Sequence, residues 1–172
     1  MNDVQLRRVL TCVNSHLGGG CTVGVYAADR LPKRFKKPAA FIANTDTHDK
    51  PGTHWVAFFI PVKGKPEYFD SYGLNCFIEG HLNFQANTKK TWVWNKKELQ
   101  SLNSKVCGHY CLVYLICRMK KHSITDFLSL FTSNTKNNDK RVRTCIRKYF
   151  KDDCNIQCNR FGQVCCPRNQ VL

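Results

Sequence analysis

Acidic side chains are scarce in this 172-residue chain: 12 Asp and Glu stand against 27 Lys and Arg, for a formal net charge of +15. Such an excess says little about fold, but it predicts attraction to polyanions such as nucleic acid. Long hydrophobic runs are missing too. A membrane-spanning helix needs about twenty consecutive apolar residues, and the longest apolar stretches, residues 56–60 and 111–117, stop well short. The first residues carry Asp3 and then Arg7-Arg8 in an amphipathic pattern, without the basic start, apolar stretch and small-residue cleavage site of a secretory signal. The expectation is a soluble, unexported protein with no membrane partner. The length is that of one ordinary domain, which excludes two large ones.

Paired C-x-x-C knuckles are absent although cysteine itself is abundant, at 11 residues. An odd count, in a chain above small-scaffold size and without an export signal, reads as mostly free thiols in a reducing compartment. Cys154, Cys158, Cys165 and Cys166 crowd the end of the chain at spacings unlike common zinc modules, so no metal is expected. A reduced tail is the primary reading there, with a metal site or disulfides as alternatives. The division that follows is one domain over residues 1–151 and a Cys-rich basic tail over 152–172.

What is present alternates β-like and helical patterns. Asn2 or Asp3 can cap a first helix with Leu6, Val9, Leu10, Val13 and Leu17 at helical spacing, ended by Gly18-Gly19-Gly20. Short β-like runs follow at 22–26 and 40–43, separated by a basic loop at 30–38. Residues 54–62 and 67–69 read as a hairpin through Lys63-Gly64-Lys65-Pro66, and Trp92-Val93-Trp94 as a further strand. From Cys107 the pattern turns helical, with Cys111, Leu112, Leu115, Ile116 and Met119 on one stripe. Ser123 and Asp126 resemble a capping box opening a helix over 124–131, and Asn138 is expected to cap a last helix with Val142, Cys145 and Ile146 inward.

A cysteine becomes nucleophilic where something stabilises its thiolate, and a helix start beside a histidine is such a place. Cys107 sits at the predicted loop-to-helix junction, and Gly108 next to it would let a substrate backbone approach. His109 would point elsewhere on that helix, so the base is sought in His54, which opens the aromatic strand. Asp70 ends the next strand, where a hairpin would bring its carboxylate to the imidazole. Gln100, with the Cys107 backbone N–H, supplies two donors for the oxyanion of a tetrahedral intermediate. Each of these taken singly has a structural explanation: an inert buried thiol, a strand-end histidine, an aspartate opening a turn.

Their joint context carries more. Pro51-Gly52-Thr53-His54-Trp55-Val56-Ala57-Phe58, Tyr68-Phe69-Asp70-Ser71-Tyr72-Gly73 and Gln100-Ser101-Leu102-Asn103-Ser104-Lys105-Val106-Cys107-Gly108-His109-Tyr110-Cys111 resemble the three signature blocks of adenain, the adenovirus cysteine protease family. Asp29-Arg30-Leu31-Pro32 and Ile42-Ala43-Asn44-Thr45 also resemble adenain segments. The step from Gln100 to Cys107 is closer to adenain than to the related ubiquitin-like-protein proteases. The resemblance implies an α+β fold, a mixed β-sheet packed against helices with the nucleophile Cys107 at the N-terminus of a central helix. It implies His54 as general base, Asp70 as its partner and Gln100 as oxyanion donor. It further implies an endopeptidase that cleaves viral structural precursors after glycine during virion maturation, located in the virion and the host nucleus or cytoplasm.

Adenain-type proteases are activated by a disulfide-linked peptide and by DNA. Residues 80–99 contain no cysteine, which argues against a covalently linked peptide, and Cys76 reads as a packed residue. No cofactor is required on this reading: the active site is expected to be assembled in the isolated chain, with a DNA or noncovalent peptide activator as the alternative. Lys33, Arg34, Lys36, Lys37, Lys89, Lys90, Lys96 and Lys97 are the candidate nucleic-acid contacts, for nonspecific binding by a monomer. Two rival readings stand beside the protease: removal of a ubiquitin-like modifier ending in Gly-Gly, and a basic DNA-binding scaffold without catalysis.

Overall fold

The computed structural model describes residues 1–149. The Cys-rich stretch with Cys154, Cys158, Cys165 and Cys166, and the expected boundary at 151/152, lie outside them.

Helix α1 spans Asp3–His16. Asn2 caps it, accepting a hydrogen bond from the Gln5 N–H while the Gln5 side chain accepts from the Asn2 N–H. It stops where the chain turns left-handed at Gly18 (φ 92°) and Gly19 (φ 66°), with the Gly19 N–H returning to the Asn14 carbonyl. Strands β1 (Thr22–Tyr26), β2 (Ala39–Asn44), β3 (Trp55–Ile60), β4 (Glu67–Phe69) and β5 (Val93–Trp94) form one sheet in chain order. The β1/β2 and β4/β5 pairs are parallel and the two central pairs antiparallel, so the sheet is mixed. Between β4 and β5 lies α2 (Glu79–Asn87), and α3 (Cys107–Met119), α4 (Ile124–Ser129) and α5 (Thr135–Tyr149) complete the described chain.

Side chains alternate across the sheet with the period of a strand. Ala40, Ile42, Ala57, Phe59 and Phe69 face a core shared with α1, α3, α4 and α5. Phe41, Val56, Phe58, Ile60 and Tyr68 face a second core closed by Phe84 of α2, Phe35 and Trp92. Covering both faces explains why β2 and β3 read as continuous apolar runs instead of alternating with polar residues. Helix α3, buried along nearly its whole circumference, is the central pillar. Gly80 lets α2 dock: a Cβ there would stand 2.3 Å from the Ala28 carbonyl oxygen.

Several expectations shift. β3 begins one residue after His54 and ends at Ile60, and α4 stops at Ser129 although its Ser123–Asp126 capping box is formed. Asn138 does not cap α5. The helix starts three residues earlier, the Asn134 side chain accepts from the Asn137 N–H, and Asn138 is buried, donating to the Leu99 and Thr132 carbonyls. Sequence reasoning offered nothing for α2, whose apolar residues lack a strong helical stripe because only His81 and Phe84 are buried. Among the described residues Cys21, Cys76, Cys107 and Cys111 are free thiols, while Cys117 and Cys145 are disulfide-bonded, a pairing that the reading of mostly free thiols leaves room for but does not name.

Candidate active site

Three segments meet at the first turn of α3. Cys107 is its first residue, and Val106 before it makes no side-chain cap, so the N–H of Gly108 at the helix start is open to the sulfur. β3 runs beside α3, and its pairing with β2 is prolonged by a hydrogen bond from the Thr45 N–H to the His54 carbonyl. This holds His54 at the strand mouth. β4 ends at Phe69 and delivers Asp70, whose Oδ1 lies 2.9 Å from His54 Nε2. The other ring nitrogen is left free of Asp70, and His54 and Cys107 lie close enough for each to shift the titration of the other.

Electrostatics follow from that geometry. Burial disfavours a charged ring, but the hydrogen bonds and charges of Asp70 and Cys107 outweigh it and raise the His54 pKa to about 9. Burial likewise pushes the Cys107 thiol up, yet the hydrogen bond and charge of His54, with the Trp55 and Gly108 N–H groups, bring it below its ordinary value. The pair therefore favours imidazolium and thiolate. Cys111, one turn further along α3, behaves oppositely: fully buried, it is raised well above the ordinary thiol and approaches the Trp55 carbonyl at 3.3 Å.

Asp70 is held from behind by Asn95, which is itself buried. The Asn95 Oδ1 accepts from the Asp70 N–H (2.9 Å) and its Nδ2 donates to the Asp70 carbonyl (2.6 Å). Asp70 Oδ1 also accepts from the Tyr72 N–H at 2.8 Å, and the Tyr72 ring stacks on His54 with centroids 5.0 Å apart. Gln100 is 1% exposed. Its N–H and that of Leu99 donate to the Ser71 carbonyl, its Oε1 accepts from the Ser71 hydroxyl, and its Nε2 donates to the Ser104 carbonyl and the Tyr72 hydroxyl. Asp139 of α5 braces the adjoining residue, accepting from the Ser101 hydroxyl, and also accepts from the Tyr110 hydroxyl.

His54, Asp70 and Cys107 are thus brought together, with Gln100 joined to the Asp70 turn through Ser71 and Tyr72. Sequence reasoning missed Asn95, Ser71, Tyr72 and Asp139. Ser71 and Tyr72 follow Asp70 directly, and that adjacency was the available signal; Asn95 and Asp139 gave none. Gly108 has another role than the one expected: a Cβ there would press on Leu6 at 3.2 Å and Trp55 at 3.4 Å, so its close approach is between α3, α1 and β3. His109 faces away, near the N-terminal amine, Arg143 and Arg147, and burial and those charges lower its pKa to about 4. A groove of about 740 Å³ bordered by Arg7, Val25, Asn44, Gly52 and Trp55 adjoins the site.

Of the basic candidates, Lys33, Arg34, Lys36, Lys37, Lys89, Lys90 and Lys96 are exposed. Phe35 packs on Phe41 and Phe84, and Lys33 lines a groove with Asn83 and Asn87, so the 33–37 cluster lies beside α2, the helix that Lys89 and Lys90 follow. Lys97 differs: its ammonium donates to the Leu128 and Phe131 carbonyls at the end of α4. Among the described residues no group of three or more His, Cys, Asp or Glu could hold a metal ion, and no helix is long and apolar enough to cross a membrane.

No protein-family model matches the chain. In sequence it is similar to a cysteine protease of African swine fever virus (a tick isolate from Malawi), 30% identical over 132 residues that cover 69% of this chain and 47% of that protein. The chain spans just under half the length of that curated relative. A crystal structure of an African swine fever virus protease aligns with a TM-score of 0.42 at 26% identity, covering 60% of this chain and 42% of that one.

Proposed function

We propose that the protein is a viral cysteine endopeptidase of adenain-like type that cleaves structural precursors after glycine during virion maturation. The observation that carries this reading is the Cys107 thiol at the start of α3, close enough to His54 for the ring to lower its pKa, with His54 Nε2 held 2.9 Å from Asp70. Similarity to a viral cysteine protease supports it.

The Cys107 thiolate attacks the scissile carbonyl carbon, and the oxygen takes up negative charge in reach of the Cys107 N–H and the Gln100 amide. His54 gives its proton to the departing amine as the carbon–nitrogen bond breaks, leaving a thioester on Cys107. Water, losing its proton to His54, then hydrolyses the thioester and restores the thiolate. Asp70 keeps the ring oriented through both proton transfers. Glycine before the cut suits a buried sulfur, since Cys107 is only 8% exposed and a Cβ would hinder approach. The same glycine preference would serve removal of a ubiquitin-like modifier. Exposed basic side chains around α2 support nonspecific DNA binding as an activator or track.

Mass spectrometry of products from a peptide library, with a modifier C-terminal fluorogenic ester alongside, tests this. The expected result is internal cleavage after glycine, lost in Cys107→Ala without loss of the thermal transition. Turnover of the ester alone would favour the modifier reading, and neither activity would favour the noncatalytic scaffold.

A further inference from the structure

The amide of Gln100 is held in a defined direction. The Ser104 carbonyl, 2.7 Å away, can only accept, so Nε2 must face it. That leaves Oε1 toward the Ser71 hydroxyl, which donates to it at 2.7 Å. Ser71 is fully buried and also receives the Leu99 and Gln100 N–H groups on its carbonyl, at 2.9 and 3.0 Å. One residue therefore grips both the main chain and the side chain of Gln100.

The second Nε2 hydrogen goes to the Tyr72 hydroxyl at 3.1 Å, the longer of its two bonds. Tyr72 lies close enough to Cys107 and Asp70 for their charges to raise its phenol pKa, with burial the largest cause, so the hydroxyl stays protonated. Its own donor reaches only the Leu102 carbonyl, at 3.5 Å.

The geometry points to Ser71 and Tyr72 as positioning residues for the oxyanion donor. Ser71 anchors the oxygen end of the Gln100 amide, whose direction the Ser104 carbonyl has set, and the Tyr72 oxygen holds the second Nε2 hydrogen until an oxyanion replaces it. Three successive residues then serve the site: Asp70 orients the base, Ser71 orients the donor, and Tyr72 touches both. This rests on the protease reading above. A hydroxyl that merely filled space would not couple to Gln100, so coupling is the discriminating property.

The experiment is a double-mutant cycle on the full chain, reading kcat and KM on a Gly-containing peptide. Ser71→Ala should lower kcat roughly ten-fold with KM unchanged, because a buried amide oxygen loses its partner and the donor is held at one end only. In a Gln100→Ala background the same change should have no further effect. The pH profile of Cys107 alkylation should not move, since the thiolate–imidazolium pair is untouched. Tyr72→Phe keeps the ring on His54 and removes the hydroxyl. It should lower kcat about three-fold, again only when Gln100 is present, and serves if Ser71→Ala does not fold. Losses that add to that of Gln100→Ala, or wild-type rates in both variants, would overturn the role of Ser71 and Tyr72 while leaving the protease reading intact. A wild-type protein that turns over no peptide would overturn both.

Discussion

Folding moves the His54 and Cys107 pKa values in opposite directions, and the two effects can be separated. The folded His54 value of about 9 lies above its ordinary 6.5, so its contribution to stability is complete below about 6.5 and is lost as pH rises through about 9. Cys107 is lowered, so its contribution is present above the ordinary thiol value and is lost as pH falls through the folded value. In the wild type the two slopes oppose each other. In Cys107→Ala only the His54 part remains, held up by Asp70, and the melting temperature should decline as pH rises above about 6.5 more steeply than in the wild type. Parallel curves for the two proteins would contradict the pairing. Iodoacetamide should alkylate Cys107 with a midpoint below the ordinary 9.0, and His54→Ala should move that midpoint upward; an unmoved midpoint would mean that His54 does not stabilise the thiolate.

Between elements, a largely buried charge pair ties β4, which leads into Asp70, to α3. Glu67 at the start of β4 accepts two hydrogen bonds from Arg118 of α3, at 2.7 and 2.9 Å, and one from the Tyr114 hydroxyl at 2.6 Å. Arg118 lies over the Phe59 ring and also donates to the His122 carbonyl, so this single network joins β3, β4 and the end of α3. Removing one partner leaves the other charge buried and uncompensated. Glu67→Ala should destabilise the protein by about 3–5 kcal/mol, read as a fall in the urea midpoint. A loss no larger than that of an exposed substitution would show that the network carries little. Replacing Glu67 and Arg118 together with apolar residues should be milder than Glu67→Ala alone, because no orphan charge remains.

For the molecule as a whole, charge and self-sufficiency are the properties to test. With a formal charge of +15, binding to DNA of arbitrary sequence should weaken steeply as salt rises, because each neutralised phosphate releases a counterion. Fluorescence anisotropy across a salt series measures the slope, and a flat response would remove the polyanion. Lys97→Ala should change that slope least, since its ammonium is already bound to carbonyls of α4. The isolated chain already pairs His54 with Asp70 and Cys107, and the 80–99 stretch forms α2 and β5 without a thiol. Peptide turnover should therefore need no disulfide-linked activator; activity that arises only after a cysteine-containing peptide is added, and is lost on reduction of the resulting disulfide, would overturn this expectation.

Local pattern alone was enough for the elements whose signals are written in neighbouring residues. The Asn2 and Ser123 capping boxes, the glycine stop after α1, the β3–β4 hairpin and the stripe of α3 all follow from spacings of a few positions. His54, Asp70, Gln100 and Cys107 were legible as candidates because each lies in a block whose residue types and order are distinctive. Helix α2 was not, since it buries two residues against a sheet face that exists only once β2, β3 and β4 have assembled. Asn138 looks like a cap in sequence and becomes a buried clamp on Leu99 because α5 packs beside that carbonyl, which also accepts from the Tyr110 hydroxyl. Asn95 lies 25 residues from Asp70 and Asp139 lies 38 from Ser101, so only the folded chain decides that these side chains hold the site together. A spacing in sequence can specify which groups share a turn, whereas satisfying a buried donor depends on whatever the fold brings within 3 Å of it.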